Sequence, residues 1–139
     1  MIDKEVIYKH IGELRKIVNE LSAFESYTLN DLEIDIGKQW QIERGLQLAI
    51  QNLLNIGSHI LSALGKNNSE TYTDIIDKLA QEKILPLDFT LKIRGMAGLR
   101  NILVHDYLDV DIGRIYKILR DQLEDFKTFC RLIIEYLEQ

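Results

Sequence analysis

Cysteine is nearly absent from the chain: Cys130 is the single one, too few for an intrachain disulfide or a multi-cysteine zinc site, and it suits a reducing compartment. One proline and eight glycines in 139 residues are also too few turn formers for a β-sandwich or barrel, which needs turn chemistry every ~8 to 12 residues. No apolar run approaches the ~18 residues of a membrane span. The start, Met1-Ile2-Asp3-Lys4-Glu5-Val6, is charged where a secretory signal is apolar. The expectation is a soluble cytoplasmic protein with no membrane partner. Basic charge is short as well: 17 Lys and Arg face 22 Asp and Glu, a formal net charge of -5. That excludes nucleic-acid binding by bulk attraction, makes DNA an unexpected partner, and confines any RNA contact to a local patch. What is present is a 46% hydrophobic content with 28% charged residues and no low-complexity tract, enough for one compact core. A single all-α domain over residues 1–139 is expected, without internal repeats.

Periodicity organises this domain. Ile7, Ile11, Leu14, Val18 and Leu21 step by three and four along a first helix. Thr28, Asn30 and Asp31 are candidate caps after it, and Leu32 and Ile36 fit a helix better than a strand. Ile42, Leu46, Ala49, Leu53, Ile56, Ile60 and Leu64 define a long helix over 40–64, with Gln47, Gln51, Asn55 and His59 on another face. Gly65 terminates it, and Thr71 with Asp74 opens a short helix to about Glu82. Pro86 suits the opening of a helix reaching about Val104. Asp109 and Asp111 are candidate caps for a last helix striped by Ile112, Ile115, Leu119, Leu123, Phe126, Cys130, Ile133 and Leu137. The sum is an up-and-down bundle of four to five helices.

The segment 87–107 departs from a plain amphipathic helix. Phe89, Ile93, Met96, Ala97, Leu103 and Val104 form one broad apolar face, while Leu91, Gly95, Gly98 and Ile102 lie roughly opposite. A helix apolar on both sides is either central or turned toward another subunit. Arg100 interrupts the first face, so its cation needs a carboxylate, an interface or a phosphate; taken alone, a structural ion pair is the default. His105 shares a side with Asn101. Arg and His at this spacing arise by chance about 0.15 times in a chain of this composition, but adding Asn101 and Tyr107 makes the string Arg100-Asn101-Ile102-Leu103-Val104-His105-Asp106-Tyr107 far rarer.

That string resembles the Arg-polar-x3-His signature of the HEPN family, in the RNxxxHxY form of the HepT-like proteins, and residues 43–61, ERGLQLAIQNLLNIGSHIL, look like the second helix of that group. The resemblance implies a helical homodimer that cleaves RNA, tRNA or mRNA, without a metal or other cofactor. It implies a toxin of a type II/VII-like pair, beside an MntA-type nucleotidyltransferase antitoxin. It assigns Arg100 and His105 as the catalytic pair, Asn101 as support, and Tyr107 as the position modified with AMP.

The chemistry of these residues suits that role. When a 2′-OH attacks the adjacent phosphodiester, a proton must move and negative charge must be stabilised. Imidazole titrates near pH 6.5 and can serve as acid or base, while a guanidinium offers forked donors to phosphate oxygens. The expected product end is a 2′,3′-cyclic phosphate. In one unbroken helix, however, Arg100 and His105 stand about 140° apart and about 7.5 Å along the axis. Either the helix ends early or two subunits contribute. Lys92, Arg94 and Arg100 against Asp106 give residues 92–107 a formal +2, which points to a doubled basic cleft at a dimer axis. His10 and His59 lack ligand-spaced partners, so no metal site is expected. Two other readings remain: a non-catalytic module that docks a nucleotidyltransferase or its nucleotide, and a purely structural helical dimer. Neither needs Arg100 and His105 together.

Overall fold

The computed structural model describes residues 2–105 and 110–139, and the described elements are all helices: α1 Lys4–Ser22, α2 Leu29–Glu33, α3 Ile36–Ala63, α4 Tyr72–Gln81, α5 Leu87–Ile93, α6 Gly95–His105, α7 Ile112–Asp121 and α8 Leu123–Leu137. The all-α expectation holds, but eight helical segments replace the expected four or five. The expected helix over 86–104 is divided at Arg94, just before Gly95, a poor helix former. The last helix is divided at Gln122, whose φ of -118° and ψ of 0° leave the helical region. Pro86 occupies the N-cap of α5 and not its first turn.

Caps account for most of the other boundaries. The Thr28 and Thr71 hydroxyls accept from the amides of Asp31 and Asp74, and those two carboxylates accept in return from the threonine amides. These are the reciprocal boxes that satisfy amides left open in a first helical turn. Asp3, Asp35 and Asp111 cap α1, α3 and α7 through Val6, Lys38 and Gly113. Asp109, the other expected cap, lies outside the described residues. At the end of α3, Gly65 takes a φ of +69°, and the amides of Gly65 and Lys66 return to the carbonyls of Ser62 and Leu61. That left-handed turn favours glycine.

α3 runs through the centre of the bundle, with α1, α4 and α6 packed on it and α8 closing against α1. The α1 stripe from Ile7 to Leu21 is buried, as are Ile42, Leu46, Ala49, Leu53, Ile56 and Ile60 of α3, and Leu119, Phe126, Cys130 and Ile133 of α7 and α8. In α5 and α6 the first apolar face is buried through Phe89, Ile93, Met96, Ala97 and Leu103. The opposite face is open only at its N-terminal part, because Ile102, expected on the same face, is half-buried and lines a small cavity with Val110, Arg114 and Ile115 next to α7. Leu87 and Leu91 are 67% and 62% exposed, and a Cβ added to Gly95 or Gly98 would meet nothing within 4 Å. Among the described residues, no helix is long and apolar enough to cross a membrane.

Candidate active site on helix α6

Helix α6 carries Arg100, Asn101 and His105. Its ladder persists through His105, so the early helix end, one of the two solutions to the spacing problem, does not occur. Asn101 and His105 are one turn apart and both exposed, whereas Arg100 is half-buried and reaches across the bundle.

Three neutral groups hold Arg100. Its Nε donates to Gln51 Oε1 of α3 at 2.9 Å, and its Nη1 donates to Asn101 Oδ1 at 3.3 Å. The guanidinium carbon lies 4.6 Å from the centre of the Tyr72 ring at the start of α4, within cation–π range. Gln51 Nε2 in turn donates to Asn55 Oδ1 at 2.9 Å. Among the described residues no carboxylate pairs with Arg100. Among the described residues a polar cradle stands where a structural ion pair was expected by default. Asn101 draws the guanidinium toward the face that carries His105, although Arg100 and His105 do not meet within one chain.

The other two cations of the segment behave differently. Arg94 forms a two-pronged bridge to Asp77, with Nε–Oδ1 at 2.7 Å and Nη2–Oδ2 at 3.0 Å, and this hydrogen bonding pushes its guanidinium pKa up further. Lys92 Nζ lies 3.4 Å from Oδ1 of the buried Asp125. Of the three cations counted in residues 92–107, Arg100 is thus the one that meets no carboxylate among the described residues. Asp106 and Tyr107 lie outside the described residues, so the expected modification site has no described geometry.

The remaining candidates are separated from this site. His10 and His59 come from different helices, yet their rings pack at 5.4 Å between centroids, and His10 Nδ1 lies 3.4 Å from Asn52 Oδ1. Sequence spacing could not reveal that pair, because it forms only when α1 crosses α3. Among the described residues no three His, Cys, Asp or Glu side chains gather as metal ligands. Burial pushes the Cys130 thiol up to about 11, leaving it a poor nucleophile.

A helical bundle that presents an Arg-Asn-x3-His string on one helix is the architecture of a HEPN-type domain. The chain belongs to the family described as "Ribonuclease HepT-like", which it matches over residues 5–133. It is similar to the tRNA nuclease HepT of Aphanizomenon flos-aquae, with 30% identity over 98% of this chain and 92% of the relative. Among solved structures it resembles YutE from Bacillus subtilis, described as a cytosolic protein of unknown function. The TM-score is 0.84 at 26% identity, covering 99% of this chain and 92% of YutE. The fold also matches a tri-AMPylated HEPN toxin of Shewanella oneidensis in complex with its MNT antitoxin. There the TM-score is 0.85 at 23% identity, covering 97% and 99% of the two chains.

Proposed function

We propose that the protein is an RNA-cleaving toxin whose partner is an MntA-type nucleotidyltransferase antitoxin, and that it acts in the cytoplasm. The carrying observation is Arg100: a half-buried guanidinium placed by Gln51, Asn101 and Tyr72, without a carboxylate among the described residues, is prepared for a phosphate. His105, exposed one turn beyond Asn101, is the general acid/base for attack by the substrate's 2′-OH. Arg100 stabilises the charge that develops on phosphorus. Asn101 keeps the guanidinium turned toward the His105 face. AMP on the Tyr107 hydroxyl would add a phosphate beside this motif and compete with RNA for Arg100.

The site is completed by a second copy of the chain. Because α6 stays helical through His105, convergence of Arg and His on one phosphate calls for two protomers. Leu87, Leu91, Gly95 and Gly98 are exposed, and the two glycines meet no packing demand among the described residues. They leave room for close approach of a symmetry-related helix.

The test is RNA cleavage by the purified protein in excess chelator. Cleavage that leaves 2′,3′-cyclic phosphate ends and is abolished by Arg100→Ala and by His105→Ala is the expected result. Cleavage that persists in either variant, or that stops with chelator, would falsify the assignment. Absence of cleavage by the parent on tRNA and mRNA alike would favour the docking-module reading.

A further inference from the structure

We infer that Gln51 is a positioning residue that aims Arg100 without neutralising it, and that the uncharged state of the Gln51 side chain is itself required at the site. This rests on the reading of Arg100 as the phosphate clamp. Charged side chains withdrawn from solvent usually gain a partner, and even the exposed Lys92 and Arg94 of the preceding helix and its end each face a carboxylate, Asp125 and Asp77. Arg100 instead meets amide oxygens and an aromatic face.

The cradle has a defined direction. Gln51 Nε2 donates to Asn55 Oδ1, so Gln51 Oε1 is the atom turned toward Arg100 Nε. From Arg100 on α6 the hydrogen bonds cross to Gln51 on α3 and continue one turn along that helix to Asn55, on a polar strip that the buried stripe of α3 does not use. The guanidinium carbon lies over the Tyr72 ring, 4.6 Å from its centre, so the ring attracts the cation without neutralising it. With Nε on Gln51 and one Nη1 hydrogen on Asn101, the Nη2 donors make no hydrogen bond among the described residues and are available to phosphate oxygens.

A carboxylate at Gln51 would preserve the bond to Arg100 Nε and nearly the same shape, and it regains the link to Asn55 once that amide turns over to donate its Nδ2–H, yet it would cancel the charge a phosphate needs. The two roles therefore predict opposite orders. If Gln51 serves structure alone, Gln51→Glu, which keeps and strengthens the bond, outperforms Gln51→Ala. If Gln51 must aim an uncompensated cation, Gln51→Glu is the worse of the two.

The experiment compares the parent, Gln51→Ala, Gln51→Glu and Gln51→Met for cleavage of one RNA, with thermal unfolding of each as the folding control. Binding of the same RNA carrying 2′-O-methyl groups, which cannot be cleaved, is followed against salt. Expected is a fall of about 10-fold in kcat/KM for Gln51→Ala and Gln51→Met, and of about 100-fold for Gln51→Glu. The slope of log affinity against log salt should shrink by about 0.7 in Gln51→Glu, the loss of one phosphate contact on a single strand. Gln51→Glu at or above Gln51→Ala in both cleavage and binding, with the parent's salt slope, overturns the inference. Should Gln51→Glu fail to fold, Gln51→Met decides, and full activity in that variant overturns it equally. A parent that binds but does not cleave, with the binding order intact, refutes the ribonuclease reading and leaves the role of Gln51 standing.

Discussion

Lys92, Arg94 and Arg100 carry the same formal charge within nine residues of chain, and their surroundings give them different work. Lys92 compensates Asp125, a carboxylate 3% exposed whose Oδ2 has no hydrogen-bond partner among the described residues. A buried carboxylate that loses its cation is left with its desolvation cost. Lys92 itself is largely exposed and solvent screens the pair, so Lys92→Ala is expected to cost about 1 kcal/mol in denaturant unfolding and to leave RNA cleavage near the parent level. Arg100→Lys should show the reverse pattern, with little change in stability and a fall of about 10- to 100-fold in kcat/KM, because an ammonium loses the forked geometry. Arg100, Asn101 and His105 were legible in the sequence because a rare string holds all three. Gln51 and Tyr72 were not legible as their partners. They lie 49 and 28 residues away, and only the packing of α3 and α4 against α6 brings them to the guanidinium.

Among the elements, α4 is the one whose stability is most open to test. It joins Tyr72 to Arg100 and depends on the Thr71–Asp74 box. Thr71→Ala should cost about 1 kcal/mol, a fall of roughly 4 °C in the thermal midpoint for a domain of this size. The Glu70 amide, together with the Thr71 amide and hydroxyl, holds the Asp74 carboxyl below its ordinary value of 3.8. A carboxyl depressed in the folded state contributes stability above its unfolded value and loses it as pH falls through the folded one. The box should therefore weaken only below about pH 4, and Thr71→Ala should differ least from the parent there. Against α3, the same helix comes so close that a Cβ on Gly57 would lie 2.9 Å from Ile75 Cγ2 and 3.0 Å from Leu79 Cδ1. Gly57→Ala is expected to cost about 1–3 kcal/mol through overpacking, read as a lower denaturation midpoint at an unchanged slope. The stripes of α1, α3 and α8 could be read from spacing because each buries one continuous face. The breaks at Arg94 and Gln122 could not, since apolar spacing runs across both positions.

At the scale of the whole molecule, the acidic net charge confines RNA to a small area, and within the α5–α6 segment Arg100 is the cation that meets no carboxylate among the described residues. A cleft of useful charge then requires two copies, which the open face of α5 and α6 can supply. Gly98→Ala separates folding from assembly. Alanine should stabilise the exposed helix by about 0.5–1 kcal/mol in the monomer, while its methyl group holds the paired helices apart. A rise in thermal midpoint accompanied by dissociation in sedimentation and lower activity is expected. A rise in midpoint with an unchanged dimer would place the interface elsewhere.

The central claim is that Arg100 of one protomer and His105 of the other act on the same phosphodiester. Mixing unfolded Arg100→Ala and His105→Ala chains in equal amounts, refolding them together and measuring RNA cleavage in chelator tests this most directly. Random pairing makes half of the dimers mixed, each with one intact Arg–His combination across the axis. The account predicts about a quarter of the parent rate from two chains that are separately inactive. A mixture as inactive as its components, while dimers still form, would contradict it.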